Sequence, residues 1–331
     1  MACPLAAGDG AALQPPRQPF PLTSHHQQIS CRVARLVGLI ICAMNSARLF
    51  ILTSSAMIAF AANSLLCRLA LRGLTIDAAS FSSIRIISGA VTLVLIVSLR
   101  QRGRTVGGSW GSGLALFAYV AAFSFAYNSL SAATGALLLF AAVQSTMILW
   151  GLYQGERFGL HQWSGLSVAI AGLLVLFAPG LAAPPPQGSA LMLTAGIAWG
   201  IYSLRGRRST DATSATTGNF LRAVPLTLLL SLAFVHSAKA DSSGVVYAVV
   251  SGAITSGLGY VIWYAALTGL TATTAATVQL SAPVLAAIGG ILFLGEPLTI
   301  RFLMAAIAVL GGIGLVVFSR RTADADAGGR S

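Results

Sequence analysis

Charge is scarce in this chain, and negative charge scarcer still: 8% of its 331 residues are charged, 8 of them Asp or Glu against 20 Lys or Arg. Soluble domains carry about a quarter charged residues, so there is too little hydrophilic surface here to cover a globule in water. The acids are Asp9, Asp77, Glu156, Asp211, Asp241, Glu296, Asp324 and Asp326, and none falls in the middle of an apolar run. A carboxylate buried in the membrane, which could trade a proton for a cationic drug, is therefore missing, and that argues against cationic drug antiport. Catalytic and metal-binding patterns are missing too. His25, His26, His161 and His236 fall in the tail or at helix ends, with no H-E-x-x-H and no Ser-His-Asp constellation. Cys3, Cys31, Cys42 and Cys67 form no C-x-x-C pair and no zinc spacing. No cofactor and no metal are expected. An intramembrane enzyme acting on a lipid-linked substrate is the weaker alternative, and a non-transporting membrane scaffold is a third. The net charge of +12 makes no basic stripe, because the arginines come in ones to threes between apolar runs, so nucleic acid is not expected as a partner.

What the chain does have is apolar length. Hydrophobic residues make up 56% of it, in runs separated by short polar breaks. Runs of about 18 or more predict ten helices, near 49–67, 81–99, 110–129, 133–153, 162–179, 188–206, 217–236, 244–266, 273–294 and 300–318. About twenty residues at ~1.5 Å rise cross the hydrocarbon core, and a helix satisfies its own backbone where no water can. Residues 1–46 are rich in Pro, Gln and His and read as a disordered tail, with Met44 a candidate start. With the N-terminus in the cytoplasm, the inner segments hold Arg48, Arg100, Arg102, Arg104, Arg157, Arg205, Arg207, Arg208, Arg320, Arg321 and Arg330, and the outer ones only Arg68, Arg72, Lys239 and Arg301. That bias places both termini inside.

The sequence also repeats. Shifted by 140 residues, the stretch from Leu130 aligns with the stretch from Leu270, matching Ala132 with Ala272, Thr134 with Thr274, Ala142 with Ala282, Ile148 with Ile288, and Gly155-Glu156 with Gly295-Glu296. The following helices match at Ala171-Gly172 and Gly311-Gly312, and Arg85 and Arg222 each stand early in the second helix of their half. Five spans per half is odd, so the second copy must be inverted relative to the first. The expected fold is thus an all-α integral membrane protein of ten transmembrane helices in two inverted five-helix repeats, 47–180 and 187–320, with a cytoplasmic tail at 321–331.

The two Gly-Glu turns, GERFGLHQWSGLSVAIAGLLVLF and GEPLTIRFLMAAIAVLGGIGLVVF, with SIRIISGA opening the second helix, resemble EamA-type members of the drug/metabolite transporter superfamily. GIAWGIYSLRGR and GYVIWYAALTGL look like a bacterial subgroup of it. The resemblance implies a bundle of helices 1–4 and 6–9 around a central cavity, with helices 5 and 10 outside. It implies an inner-membrane exporter of amino acids or other small organic metabolites.

Candidate residues for the substrate path follow from polarity or aromaticity at membrane depth: Asn63, Ser64, Tyr119, Gln144, Trp199, Tyr202, Tyr260 and Gln279. The competing reading for the amides is interhelical hydrogen bonding, worth about 0.6–2 kcal/mol. The competing reading for the rings is ordinary core packing. Arg85 and Arg222 either snorkel to the interface or, by the resemblance, line the cavity and meet a substrate carboxylate. Glu156 and Glu296 are turn residues, each after a glycine that ends a helix, or gates that pair with arginine. Pro225 and Pro283 break backbone bonds within their helices, freeing the carbonyls of Leu221 and Gln279. The small residues of helices 5 and 10 predict close packing within each half, with a homodimer face as the alternative. The expected partners are a small-molecule substrate and the lipid bilayer.

Overall fold

The computed structural model describes residues 23–100, 106–155, 157–178, 183–206, 211–270 and 272–328, with side chains placed from residue 47 except at 100, 272–273 and 318–328. Residues 1–22 of the expected tail, Glu156, and residues 329–331 lie outside the described residues. Contacts divide the chain into Met1–Arg48 and Leu49–Ser331.

Among the described residues the structure is helical. The helices are α1 (Thr23–Arg72), α2 (Ala78–Arg100), α3 (Trp110–Ala126), α4 (Ala132–Tyr153), α5 (Leu160–Phe177), α6 (Pro186–Gly206), α7 (Ala212–Ala233), α8 (Ser242–Leu267), α9 (Ala272–Gln279 and Ser281–Leu294, either side of Leu280) and α10 (Ile300–Gly328). Seven of them are long and apolar enough to cross a membrane. Side-chain caps set several of the starts: the Ser109, Ser131 and Asp211 oxygens accept from the backbone N–H groups of Ser112, Thr134 and Ser214. Each such bond occupies a donor that the first helical turn leaves over.

Two helices depart from the uniform spans that hydropathy predicts. Within α8, Ser251–Leu258 (SGAITSGL) is wound as a π-helix between α-helical Ser242–Val250 and Gly259–Leu267. Within α9, the helix lapses at Leu280, three residues before Pro283, whose missing N–H cannot bond Gln279. Pro225, by contrast, is carried inside a continuous α7.

Neighbours in the bundle come mostly from different halves of the sequence. α2 lies against α7 and α8, α3 against α6 and α7, α4 against α6 and α9, and α5 against α10. The small residues of α5 and α10 serve this last contact, between the sequence halves instead of within one. A Cβ built on Gly165 would meet the Gly312 carbonyl at 2.6 Å, and one on Gly312 would collide with the Gly165 carbonyl.

At one end of the bundle the α1–α2 and α7–α8 connections pair, with an antiparallel bridge between Ile76 and Ala240. Asp77 fastens the junction: Oδ1 accepts from the N–H groups of Ala79 and Ser80, and Oδ2 from that of Lys239, each at 3.0 Å. Burial by itself would raise the Asp77 carboxyl, but these bonds and one from the Ser80 hydroxyl hold it below its ordinary value.

Candidate functional site

The interior gathers around one cation. Arg85 stands seven residues into α2, about 10 Å along the helix, and its side chain is 1% exposed. It does not snorkel. Nε donates to Ser256 Oγ of the π-helical stretch at 3.1 Å, and Nη2 donates to the Tyr119 hydroxyl at 3.2 Å. The guanidinium also lies 5.3 Å from the Tyr119 ring centroid and 5.1 Å from that of Phe123, close enough for cation–π attraction. Nη1 has no hydrogen-bond partner. Charged side chains in a membrane core cost several kcal/mol unless they are compensated, and they mark function by default.

Polar groups brace this cation from neighbouring helices. Asn63 Nδ2 donates to the Tyr119 hydroxyl at 3.4 Å, while its Oδ1 accepts from Ser251 at 2.7 Å and from Thr255 at 3.3 Å. One π-helical stretch thus holds both Asn63 and Arg85. π-turns recur at functional sites because they aim side chains that an α-helix would turn away. Gly252 lets α8 come this near, since a Cβ there would run into the Arg85 carbonyl and the Ser88 hydroxyl.

The walls are aromatic. Trp199 lies 4.9 Å from Tyr119, 5.0 Å from Tyr260 and 5.3 Å from Tyr202, the last pair stacked. Phe60 meets Trp199, Tyr260 and Trp263 edge-on. Between Phe60, Ser64, Tyr119, Phe123, Leu139, Trp199 and Tyr260 is a cavity of about 20 Å³. That admits a water and not a metabolite. Larger clefts lie elsewhere: about 380 Å³ lined by Ser109, Ser112, Trp150 and Arg205, and about 200 Å³ beside Glu296 and the start of α4.

Asn63, Ser64, Arg85, Tyr119, Trp199, Tyr202 and Tyr260 are therefore brought together. Others are placed apart from this cluster. Arg222 Nη1 donates to the carbonyls of Gly107 and Gly218 at 2.9 and 2.8 Å, which ties α7 to the segment before α3. Gln144 is buried in α4 with Nε2 unpartnered, and Gln279 is buried at the lapse in α9. Glu296 follows Gly295, which takes the left-handed conformation (φ 60°). The glutamate does not start the next helix, as the turn reading expects: α10 begins at Ile300, capped by Thr299. Its carboxylate instead turns inward, where Oε1 accepts from Arg68 Nε at 3.1 Å and Oε2 from the Ala132 N–H at 2.8 Å.

Residue reading missed Ser251, Thr255 and Ser256, together with Phe60, Phe123 and Trp263. The only signal for the first three is a polar and glycine-rich patch, SGAITSG, within an otherwise apolar span.

An all-helical protein with several apolar spans and a polar, aromatic centre around a buried arginine is a multi-pass membrane protein. Residues 186–318 match the EamA-like transporter family. The chain is 52% identical over 278 residues to an uncharacterized protein of Pseudomonas aeruginosa, covering 84% of this chain and 97% of that one. It is 22% identical to the uncharacterized transporter YoaV of Bacillus subtilis, over 73% of this chain and 88% of the relative. It is 28% identical to an uncharacterized transporter of Archaeoglobus fulgidus, over 53% of this chain and 63% of the relative. A solved crystal structure, 19% identical, covers 80% of this chain and 98% of its own with a TM-score of 0.57, a likeness of fold alone. Residues 186–318 thus belong to the EamA-like transporter family.

Proposed function

We propose that the protein exports small organic metabolites, amino acids among the candidates, across the inner membrane by alternating access between two inverted five-helix halves. Arg85 carries this reading: a buried guanidinium with a free Nη1, lying against two of the rings that line the aromatic cavity, suits the acidic group of a solute. The relatives named as transporters in Bacillus subtilis and Archaeoglobus fulgidus support the general activity.

The neighbour pattern supports the inverted halves. If α1–α5 correspond to α6–α10, the contacts α2–α7, α4–α9 and α5–α10 each join equivalent helices, and α2–α8 is the counterpart of α7–α3. A two-fold axis in the membrane plane produces this set. The small central cavity supports a moving mechanism, because a solute of ordinary size needs several hundred Å³ and enters only if the halves shift.

The test is a metabolite survey of the medium around cells overproducing the protein, beside cells making equal amounts of the Arg85→Gln or Gln144→Leu variant. A solute that accumulates with the wild type, and at least about tenfold less with Arg85→Gln, is expected. Media that do not differ across a broad panel, with the protein at normal levels in the membrane, would sink the export reading.

A further inference from the structure

The hydrogen bond left unmade at Arg85 has a sign. Among the described residues, the buried side-chain nitrogens and oxygens without a partner are Arg85 Nη1 and Gln144 Nε2, and both are donors. Three acceptors near Arg85 are engaged: Asn63 Oδ1 takes Ser251 and Thr255, Ser256 Oγ takes Arg85 Nε, and the Tyr119 hydroxyl takes both Arg85 and Asn63.

Negative charge is no nearer. Of the acids whose side chains are described, Asp77 is spent on the α2 start and Lys239, Asp211 caps α7, Asp241 precedes α8, and Glu296 is held by Arg68 and Ala132. A ligand that completes this centre must bring acceptors and negative charge, and the rings around it suit a flat apolar body.

On these grounds, and resting on the transport reading above, we infer that the substrate is a carboxylate on an aromatic or similarly flat body, bound without recognition of an ammonium group. Arg85 Nη1 donates to the carboxylate. An amino group on the same solute loses its water and meets no counter-charge, so it weakens binding. A zwitterionic amino acid is then a poorer ligand than the same molecule without its amine.

Three compounds with one ring and related short chains isolate the headgroup: 3-phenylpropionate (anion), L-phenylalanine (zwitterion) and phenethylamine (cation). Binding to the purified full-length protein is read by calorimetry and by quenching of tryptophan fluorescence. The acid is expected to bind at least about tenfold more tightly than L-phenylalanine, and phenethylamine not to bind. Arg85→Gln, checked for an unchanged melting temperature, loses the acid; Arg85→Lys keeps the charge and the preference at reduced affinity.

Tighter binding of L-phenylalanine than of the acid overturns the inference, and would mean that the aromatic walls hold the ammonium by cation–π attraction. Equal binding of the acid by folded Arg85→Gln overturns it as well, as does failure of all three compounds to bind. A counterflow assay in proteoliposomes with any solute found in the medium survey then separates the two ideas. Movement of that solute leaves the transporter reading standing without this substrate class, and no movement of any solute ends both.

Discussion

Asp77 joins two connections that are far apart in sequence, and its charge is what the surrounding N–H groups recognise. Because these bonds lower its carboxyl relative to an unfolded chain, the stability they contribute is complete above the ordinary carboxylate value of ~3.9 and fades as pH falls through the lower folded value. Acid titration of the purified protein below about pH 4 should therefore destabilise the wild type more than Asp77→Asn, which has nothing left to lose there. Equal acid sensitivity of the two would show that the junction does not depend on the charge. Among single residues, position and type were legible in the sequence, but direction was not. Arg85 and Arg222 look alike in the sequence, each a lone arginine in an apolar run, yet one bonds inward to Ser256 and the other reaches the Gly107 carbonyl. What differs is the segment supplied by a distant part of the chain. Ser251, Thr255 and Ser256 escaped notice because a hydroxyl inside an apolar helix can always bond its own backbone, as Thr255 also does to Ser251.

At the level of single helices, the α5–α10 contact depends on which face each small residue occupies. Gly312 is pressed against Gly165 and Ala169, whereas a Cβ on the adjacent Gly311 meets nothing within 4 Å. Gly312→Leu is expected to destabilise the protein by about 1–3 kcal/mol or more through overpacking. Gly311→Leu is expected to stay within about 0.5 kcal/mol. Thermal unfolding in detergent measures both, and an equal loss in the two variants would point to general helix crowding. The helix limits were readable because apolar length is a strong signal: the expected 110–129 and 133–153 became Trp110–Ala126 and Ala132–Tyr153. The π-helical stretch was not readable. It depends on packing against Arg85, Ser88 and Asn63, none of which lies in α8. Each helix taken alone also hid the partner of its glycines, which is why packing within each half looked the natural use for them.

For the molecule as a whole, the arginine bias makes the arrangement across the membrane testable. Alkaline phosphatase fused within the α7–α8 connection near Lys239, on the expected outer side, should be active. The same enzyme fused after Ser331, or in the 207–210 segment between α6 and α7, should be inactive. The opposite result would invert the protein and, with it, the direction of export.

The partnership of α5 with α10 also bears on how the protein is made. Ribosomes release the chain from its N-terminus, so α5 enters the bilayer long before α10 exists. During that interval the face bearing Gly165, Ala169 and Gly172 has only lipid against it, and α2 and α4 likewise await α7 and α9. The early helices are inserted but not yet docked, and the structure closes only when the last span arrives. A chain cut short before Ile300 lacks the helix that covers Gly165, Ala169 and Gly172 in the full structure.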